Sequence, residues 1–240
     1  MNIHPIHVVL PVKNALKTTL QTIEAIMKSN IDQKFDLTLY DDFSDKDVSS
    51  ELDKIALQYG FNVVHLADIT TTPSPNYRLI LQMAQSKALS VGAHIIIVES
   101  DVVVKDNTLN DLYQYSISLE NPGLIAAVTT NKKGVVNYPY LYASKMKEGV
   151  IATNKRLSFC CTLLSNSFLS SFDFNMLNSS KSWYDVFISH KATEIGYQNY
   201  LITSSKVFHR PHSSRPWKML KYSSPIKYYW RKLSQGLDKI

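Results

Sequence analysis

Two acids separated by one serine, Glu99-Ser100-Asp101, directly follow four β-branched residues, Ile95-Ile96-Ile97-Val98. The β-branched run reads as a strand buried on both faces. Such a strand has no packing use for an unpaired charge, whose burial costs several kcal/mol. Both carboxylates therefore stand past the strand's end, where ligands bind in open α/β sheets. Acids spaced i and i+2 at that edge suit a hard divalent cation that also holds phosphate oxygens. A strand followed by a plain polar turn is an equal reading of these residues taken alone.

The surrounding pattern supplies the elements that would position them. His7–Val12 reads as a strand ending at Pro11-Val12-Lys13-Asn14, and Leu16, Leu20, Ile23 and Met27 mark one face of a following helix. Leu37–Tyr40 is a second strand running into Asp41-Asp42. Val48, Leu52, Ile55 and Tyr59 give a second helix, closed by Gly60. Phe61–Leu66 is a third strand, Thr70–Pro75 a loop, and Ile80 to Val91 a third helix closed by Gly92. Strand and helix alternating in this way imply a mostly parallel, Rossmann-like α/β sheet with helices on both faces. The second half is less regular. It carries a helix face at Leu109–Ser116, strands at Leu124–Thr129 and Phe159–Leu164, and a helix over Asp185–Ile195 ended by Gly196. Short extended pieces follow at Tyr200–Ile202 and Lys206–Phe208. Asn131–Lys155 is polar and tyrosine-bearing, which suits a loop over a binding site.

Charge separates a body from a tail. The chain of 240 residues has a net charge of +6. From Lys206 onward nine Lys/Arg face one acid, a balance of +8, so the remainder is close to −2. That distribution argues against a nucleic-acid face spread over the fold and for an anionic partner near the C-terminus. No apolar run approaches the ~20 residues of a membrane span, and the N-terminus lacks the pattern of a secretory signal. The only cysteines, Cys160 and Cys161, are adjacent and sit in an apolar segment, so they read as buried thiols in a reducing, cytoplasmic setting.

Taken in order, the strand-end residues resemble family 2 glycosyltransferases of the GT-A fold. That family's first strand ends Pro-x-Tyr-Asn, its second ends Asp-Asp-Gly-Ser, and a later one ends in a metal-binding Asp-x-Asp. Here these stand as Pro11-Val12-Lys13-Asn14, Asp41-Asp42-Phe43-Ser44 and Glu99-Ser100-Asp101. Phe172-Asp173 resembles the Phe-Asp preceding the family's catalytic-base helix. Trp183-Tyr184-Asp185 with Gly196-Tyr197 resembles the Glu-Asp segment and its closing Gly-Tyr. Val207-Phe208-His209 resembles the strand whose terminal His closes the metal–diphosphate site. The resemblance covers roughly residues 6 to 210. Phe43 stands in place of the usual glycine, and Glu99 in place of the first Asp.

The resemblance implies a set of roles. Pro11, Val12, Asn14, Asp41, Asp42, Glu99 and Ser100 would hold the nucleotide. Asn76 or Arg78 would supply a further donor contact. Asp101 and His209 would hold a divalent metal, Mn or Mg. A carboxylate at Asp41 or Asp42 can accept from a uracil or thymine N–H but not from cytosine N3, which favours UDP- or dTDP-sugars. Of the two, Asp42 is expected at the base and Asp41 at a turn. Asp185 would be the general base of an inverting transfer; helix N-capping is the competing role for an Asp there. Trp183 offers a flat face to an acceptor sugar or belongs to the core. Arg210 and Arg215 would meet the diphosphate from a lid.

The expected organisation is a GT-A domain over residues 1–210, split into a nucleotide-binding half, 1–105, and an acceptor-binding half, 106–210. A basic aromatic tail, 211–240, follows. There Tyr222, Tyr228, Tyr229 and Trp230 alternate with Lys221, Lys227, Arg231 and Lys232. This suits an anionic membrane surface or a solvated basic helix. The function implied is an inverting, metal-dependent glycosyltransferase. It would move a sugar from a nucleotide-sugar to a glycan or lipid-linked acceptor in bacterial surface polysaccharide synthesis, at the inner face of the cytoplasmic membrane. A catalytically inactive binding protein of the same fold is the alternative, given Phe43 and Glu99. A nucleotidyltransferase ranks lower, because Pro11–Leu16 contains no glycine to cradle a triphosphate.

Overall fold

A computed structural model describes residues 4–181, 183–210 and 224–234. The first half is built as its periodicity predicts. Strands β1 (Ile6–Val12), β2 (Phe35–Asp41), β3 (Asn62–His65) and β4 (His94–Val98) alternate with helices α1 (Leu16–Met27), α2 (Lys46–Tyr59) and α3 (Tyr77–Val91). Gly60 and Gly92 end α2 and α3 at φ +74° and +67°, the left-handed conformation that a side chain disfavours. The second half contributes β5 (Val102–Val103), α4 (Thr108–Ser118), β6 (Pro122–Thr130), β7 (Val150–Thr153), β8 (Cys161–Leu164), α5 (Asn166–Ser171), α6 (Tyr184–Glu194) and β9 (Gln198–His209). The helix α7 follows at Pro225–Ser234.

The nine strands among the described residues join one sheet, in the order β3-β2-β1-β4-β8-β6-β9-β5, with β7 also on β9. β1 to β4, β6 and β9 run in one sense, while β5, β7 and β8 run against them. The sheet is thus mostly parallel, with helices on both faces. Successive residues of β4 explain its unbroken apolar run. Ile95 and Ile97 join the core beneath α3, α5 and α6, whereas Ile96 and Val98 join the core beneath α1, α2 and α4. Each side chain so buried contributes ~1.5–3 kcal/mol relative to exposure.

Four expectations need correction. The Asn131–Lys155 segment is not all loop, since β7 pairs along β9 and Tyr140 is buried. Leu66 leaves β3 and begins a short 3-10 turn through Asp68. Phe159 and Cys160 precede β8 rather than lying inside it. The two pieces at Tyr200–Ile202 and Lys206–Phe208 are one strand, β9. Its register against β6 shifts between Ala127 and Val128, which absorbs the polar Thr203-Ser204-Ser205 between them.

Candidate active site

The parallel register brings the chemistry to one edge. Val12, Asp41 and His65 end β1, β2 and β3 in mutual register. Glu99 follows β4 on the same edge. Because β9 runs with these strands, His209 at its end arrives there too. The turn from β4 into β5 is tied to β9: Val102 pairs with His209, and the Arg210 N–H donates to the Asp101 carbonyl at 3.0 Å.

His209 and Asp101 are both buried, with His209 Nε2 3.5 Å from Asp101 Oδ2. His209 Nδ1 lies 2.8 Å from the Tyr138 carbonyl oxygen. A carbonyl only accepts, so Nδ1 carries the hydrogen, and a neutral ring presents its lone pair at Nε2. Burial pushes the imidazole pKa down, but the Asp101 hydrogen bond and charge, with Glu99, outweigh this and raise it above its ordinary value.

Glu99 faces Cys160, whose apolar neighbours in sequence suggest a core thiol. The β4–β8 pairing continues one step past the strands, with the Glu99 N–H donating to the Cys160 carbonyl at 3.0 Å. Directly opposed residues point to one face, and the Cys160 thiol donates to Glu99 Oε2 at 3.3 Å. Burial, with the Asp101 charge, raises the Glu99 carboxyl above its ordinary pKa. Burial and the two acids push the Cys160 thiol well up. Donor atoms of Glu99, Cys160 and His209 all lie within 4.8 Å of one another, a possible metal-binding group.

Asp41 and Asp42 divide their work. Asp41 accepts from the Ser44 N–H at 3.1 Å, the Ser49 hydroxyl at 2.5 Å and His65 Nδ1 at 3.0 Å, so it holds the turn and α2. Burial raises its pKa, but these bonds lower it below the ordinary value. Asp42 accepts from the Ser74 hydroxyl at 2.6 Å and the Asn76 N–H at 2.9 Å on Oδ2, and from Asn76 Nδ2 at 2.8 Å on Oδ1. A carboxylate has about four acceptor sites, so Oδ1 retains capacity for a further donor. Phe43 occupies the left-handed region at φ +62°. The turn's backbone thus survives without its usual glycine, at a cost of ~1–2 kcal/mol.

Asn14 ties the first two strand ends together. Its N–H donates to the Ser44 hydroxyl at 2.7 Å and its Oδ1 accepts from the Asp45 N–H at 2.8 Å. Pro11 and Val12 lie at the end of β1, and Ser100 is half-buried beside Glu99. Arg78 opens α3 and donates to the Leu177 carbonyl at 3.2 Å. Asn76 is committed to Asp42 and the Thr72 carbonyl. The Arg210 guanidinium lies 5.0 Å from the Phe208 ring. Arg215 falls outside the described residues, as does most of the tail expected to form a lid.

Asp185 lies in the first turn of α6; Trp183, half-buried, is the capping position itself. The Asp185 charge adds to the upward push that burial exerts on Glu99, Tyr77, Tyr138 and Tyr140. Buried Gln85 of α3 secures the approach to α6 by bonding Leu169, Phe172 and Phe174 of the preceding backbone. The buried Tyr77 hydroxyl has no hydrogen-bond partner among the described residues, and burial, with the Glu99 and Asp185 charges, pushes its pKa well up. Cys160, Tyr138 and Tyr77 were invisible as site residues in the sequence. Their only local signal is position next to a strand or helix end, and long-range pairing decides what they face.

This sheet order, with acids at the ends of β2 and β4 and a histidine at the end of β9 along one edge, defines the GT-A class of glycosyltransferase folds. A family model for glycosyl transferase family 2 matches residues 7–171, and the chain belongs to that family. TarS of S. aureus, solved in complex with UDP-GlcNAc, is 17% identical with a TM-score of 0.68; the match covers 94% of this chain and 64% of that one. GalNAc-T7, solved with UDP, GalNAc and Mn2+, is 16% identical with a TM-score of 0.66, covering 89% of this chain and 45% of that one. At such identities the likeness concerns the fold, and this chain spans less than two thirds of either relative. Comparison with curated protein sequences gives no match.

Proposed function

We propose that this protein transfers a sugar, with inversion, from a UDP- or dTDP-type donor to a glycan or lipid-linked acceptor, in the assembly of a bacterial surface polysaccharide. The observation that carries this reading is the convergence of Glu99, Asp101 and His209 at one edge of the sheet, with His209 Nε2 3.5 Å from Asp101. The domain would divide as the residues do: 1–105 for the nucleotide, 106–210 for the acceptor.

Asp101 and His209 fit a divalent cation, Mn or Mg, because a carboxylate oxygen and an imidazole nitrogen with a fixed tautomer face one another in a buried setting. Bound there, such a cation supplies Lewis-acid stabilisation of the leaving diphosphate. The chain's own residues do the rest. Asp42 accepts the base N–H on Oδ1, while Asp41 keeps the adjoining turn in place. Pro11, Val12 and Asn14 border the base, with Glu99 and Ser100 toward the ribose. Arg78, Arg210 and Arg215 provide positive charge for the phosphates. Asp185 takes the proton of the acceptor hydroxyl as the sugar bond forms, and Trp183 offers its face to the acceptor ring.

Peripheral contact with an anionic membrane is supported by α7. Ile226, Trp230 and Leu233 are 85, 73 and 75% exposed, and their spacing puts them on one helical face. Lys227, Arg231 and Lys232 share the helix. Among the described residues no helix is long and apolar enough to cross a membrane.

Thermal stabilisation by UDP, dTDP, GDP and CMP, each with and without Mn2+, tests the donor site. A ligand at a hundredfold excess over Kd adds ~2.7 kcal/mol. The expected result is a metal-dependent shift with UDP or dTDP that Asp101→Ala removes. No shift with any nucleotide would overturn the donor reading and favour an inactive member of the fold.

A further inference from the structure

The site contains a soft donor that its proposed role in sugar transfer does not require. Cys160 is not a stray core thiol. Its Sγ is the donor to Glu99 Oε2 at 3.3 Å and lies 3.4 Å from the Ser158 hydroxyl. It shares with Glu99 and His209 a cluster whose donor atoms are all within 4.8 Å. Asp101 adds a second carboxylate, 3.5 Å from the imidazole. The four residues come from three separate segments: the β4–β5 turn, the residue before β8 and the end of β9. Their juxtaposition is therefore a product of the sheet order. The buried imidazole, with Nδ1 committed to Tyr138, directs Nε2 into the cluster.

We propose that Cys160 is a metal ligand, so that this site binds a thiophilic divalent cation such as Zn2+ or Co2+ through thiolate, imidazole and carboxylate together. The proposal rests on the metal reading of Asp101 and His209 above and adds a sulfur ligand to it. Tetrahedral Zn2+ with bonds of ~2.3 Å to sulfur and ~2.0–2.1 Å to nitrogen and oxygen needs its ligand atoms ~3.3–3.6 Å apart. The Cys160–Glu99 and His209–Asp101 separations already lie in that range. Binding releases the thiol proton to solvent as the metal–sulfur bond forms, so uptake is accompanied by acidification. A thiolate in the donor set favours Zn2+ and Co2+ over Mg2+ and Mn2+, which prefer oxygen.

Cobalt reports the ligand directly. Titration of the purified full chain with Co2+ should produce a near-ultraviolet sulfur-to-cobalt charge-transfer band at one equivalent. Cys160→Ala should abolish the band and weaken Zn2+ at least tenfold, while Mn2+ affinity changes less than threefold. Cys161→Ala, with its thiol in the core, should keep the band, and circular dichroism should show both variants folded. Visible cobalt bands without charge transfer, or a charge-transfer band that survives Cys160→Ala, would overturn the sulfur ligand while leaving the carboxylate–imidazole site intact. Failure of Co2+, Zn2+ and Mn2+ all to bind the wild-type chain would overturn the underlying metal reading as well.

Discussion

His209 is held by the Tyr138 carbonyl through Nδ1 and turned toward Asp101 through Nε2, 3.5 Å away. One ring nitrogen sets the tautomer and the other faces the Asp101 carboxylate. His209→Gln, which keeps bulk but loses the imidazole, should weaken Mn2+ binding at least ~10-fold, the smaller cost seen even for the outer partners of metal ligands. Electron spin resonance of free Mn2+ measures this, and an unchanged Kd would remove His209 from the site.

Asp185→Asn separates proton transfer from binding. Loss of a general base costs ~10²–10⁴-fold in turnover, while nucleotide stabilisation should stay as in the wild-type chain. Circular dichroism and a retained nucleotide shift check that the variant is folded. Near wild-type turnover would exclude the carboxylate as base.

Asp42 is expected to matter for stability as well as for binding. Asp42→Ala leaves the Ser74 hydroxyl and two Asn76 donors without their acceptor, and Asn76 is buried. With ~1–3 kcal/mol for each unsatisfied buried group, a loss of about 3 kcal/mol in urea unfolding is expected. An unaltered midpoint would mean that the loop before α3 is anchored elsewhere.

A pH dependence follows from His65. Nδ1 lies 3.0 Å from Asp41 and Nε2 lies 2.8 Å from Asp53. Both bonds need N–H donors, so the ring makes both only as a cation. Burial lowers its pKa, but the bonds to Asp53 and Asp41 outweigh that and raise it above 6.5. The folded state then holds the proton more tightly than the unfolded state. This stabilisation is complete below pH 6.5 and is lost as pH rises through the higher folded value. Unfolding of wild type and His65→Asn at pH 6 and pH 9 should show the variant's deficit shrinking at the higher pH. An equal deficit at both would refute the charged pair.

Much of this could be read from the chain because its causes are local. Ile95–Val98 must be buried on both faces, so Glu99 and Asp101 had to fall at a strand end. Helices α1 to α3 follow from apolar spacing and from Gly60 and Gly92 at their ends. The order of Asp41-Asp42, Glu99-Ser100-Asp101 and Val207-Phe208-His209 carried the family resemblance for the same reason. What each acid does was decided by contacts between distant segments. Asp41 and Asp42 are neighbours of identical type, yet one is committed to Ser49 and His65 and the other to Ser74 and Asn76. Cys160 and Cys161 are likewise indistinguishable in sequence. Only the antiparallel insertion of β8 beside β4 turns Cys160 toward Glu99, and only the full length of β9 carries His209 to Asp101. Burial and periodicity act over a few residues and can be read along a chain. Strand pairing joins residues that the chain itself keeps far apart, and here it assembled the site.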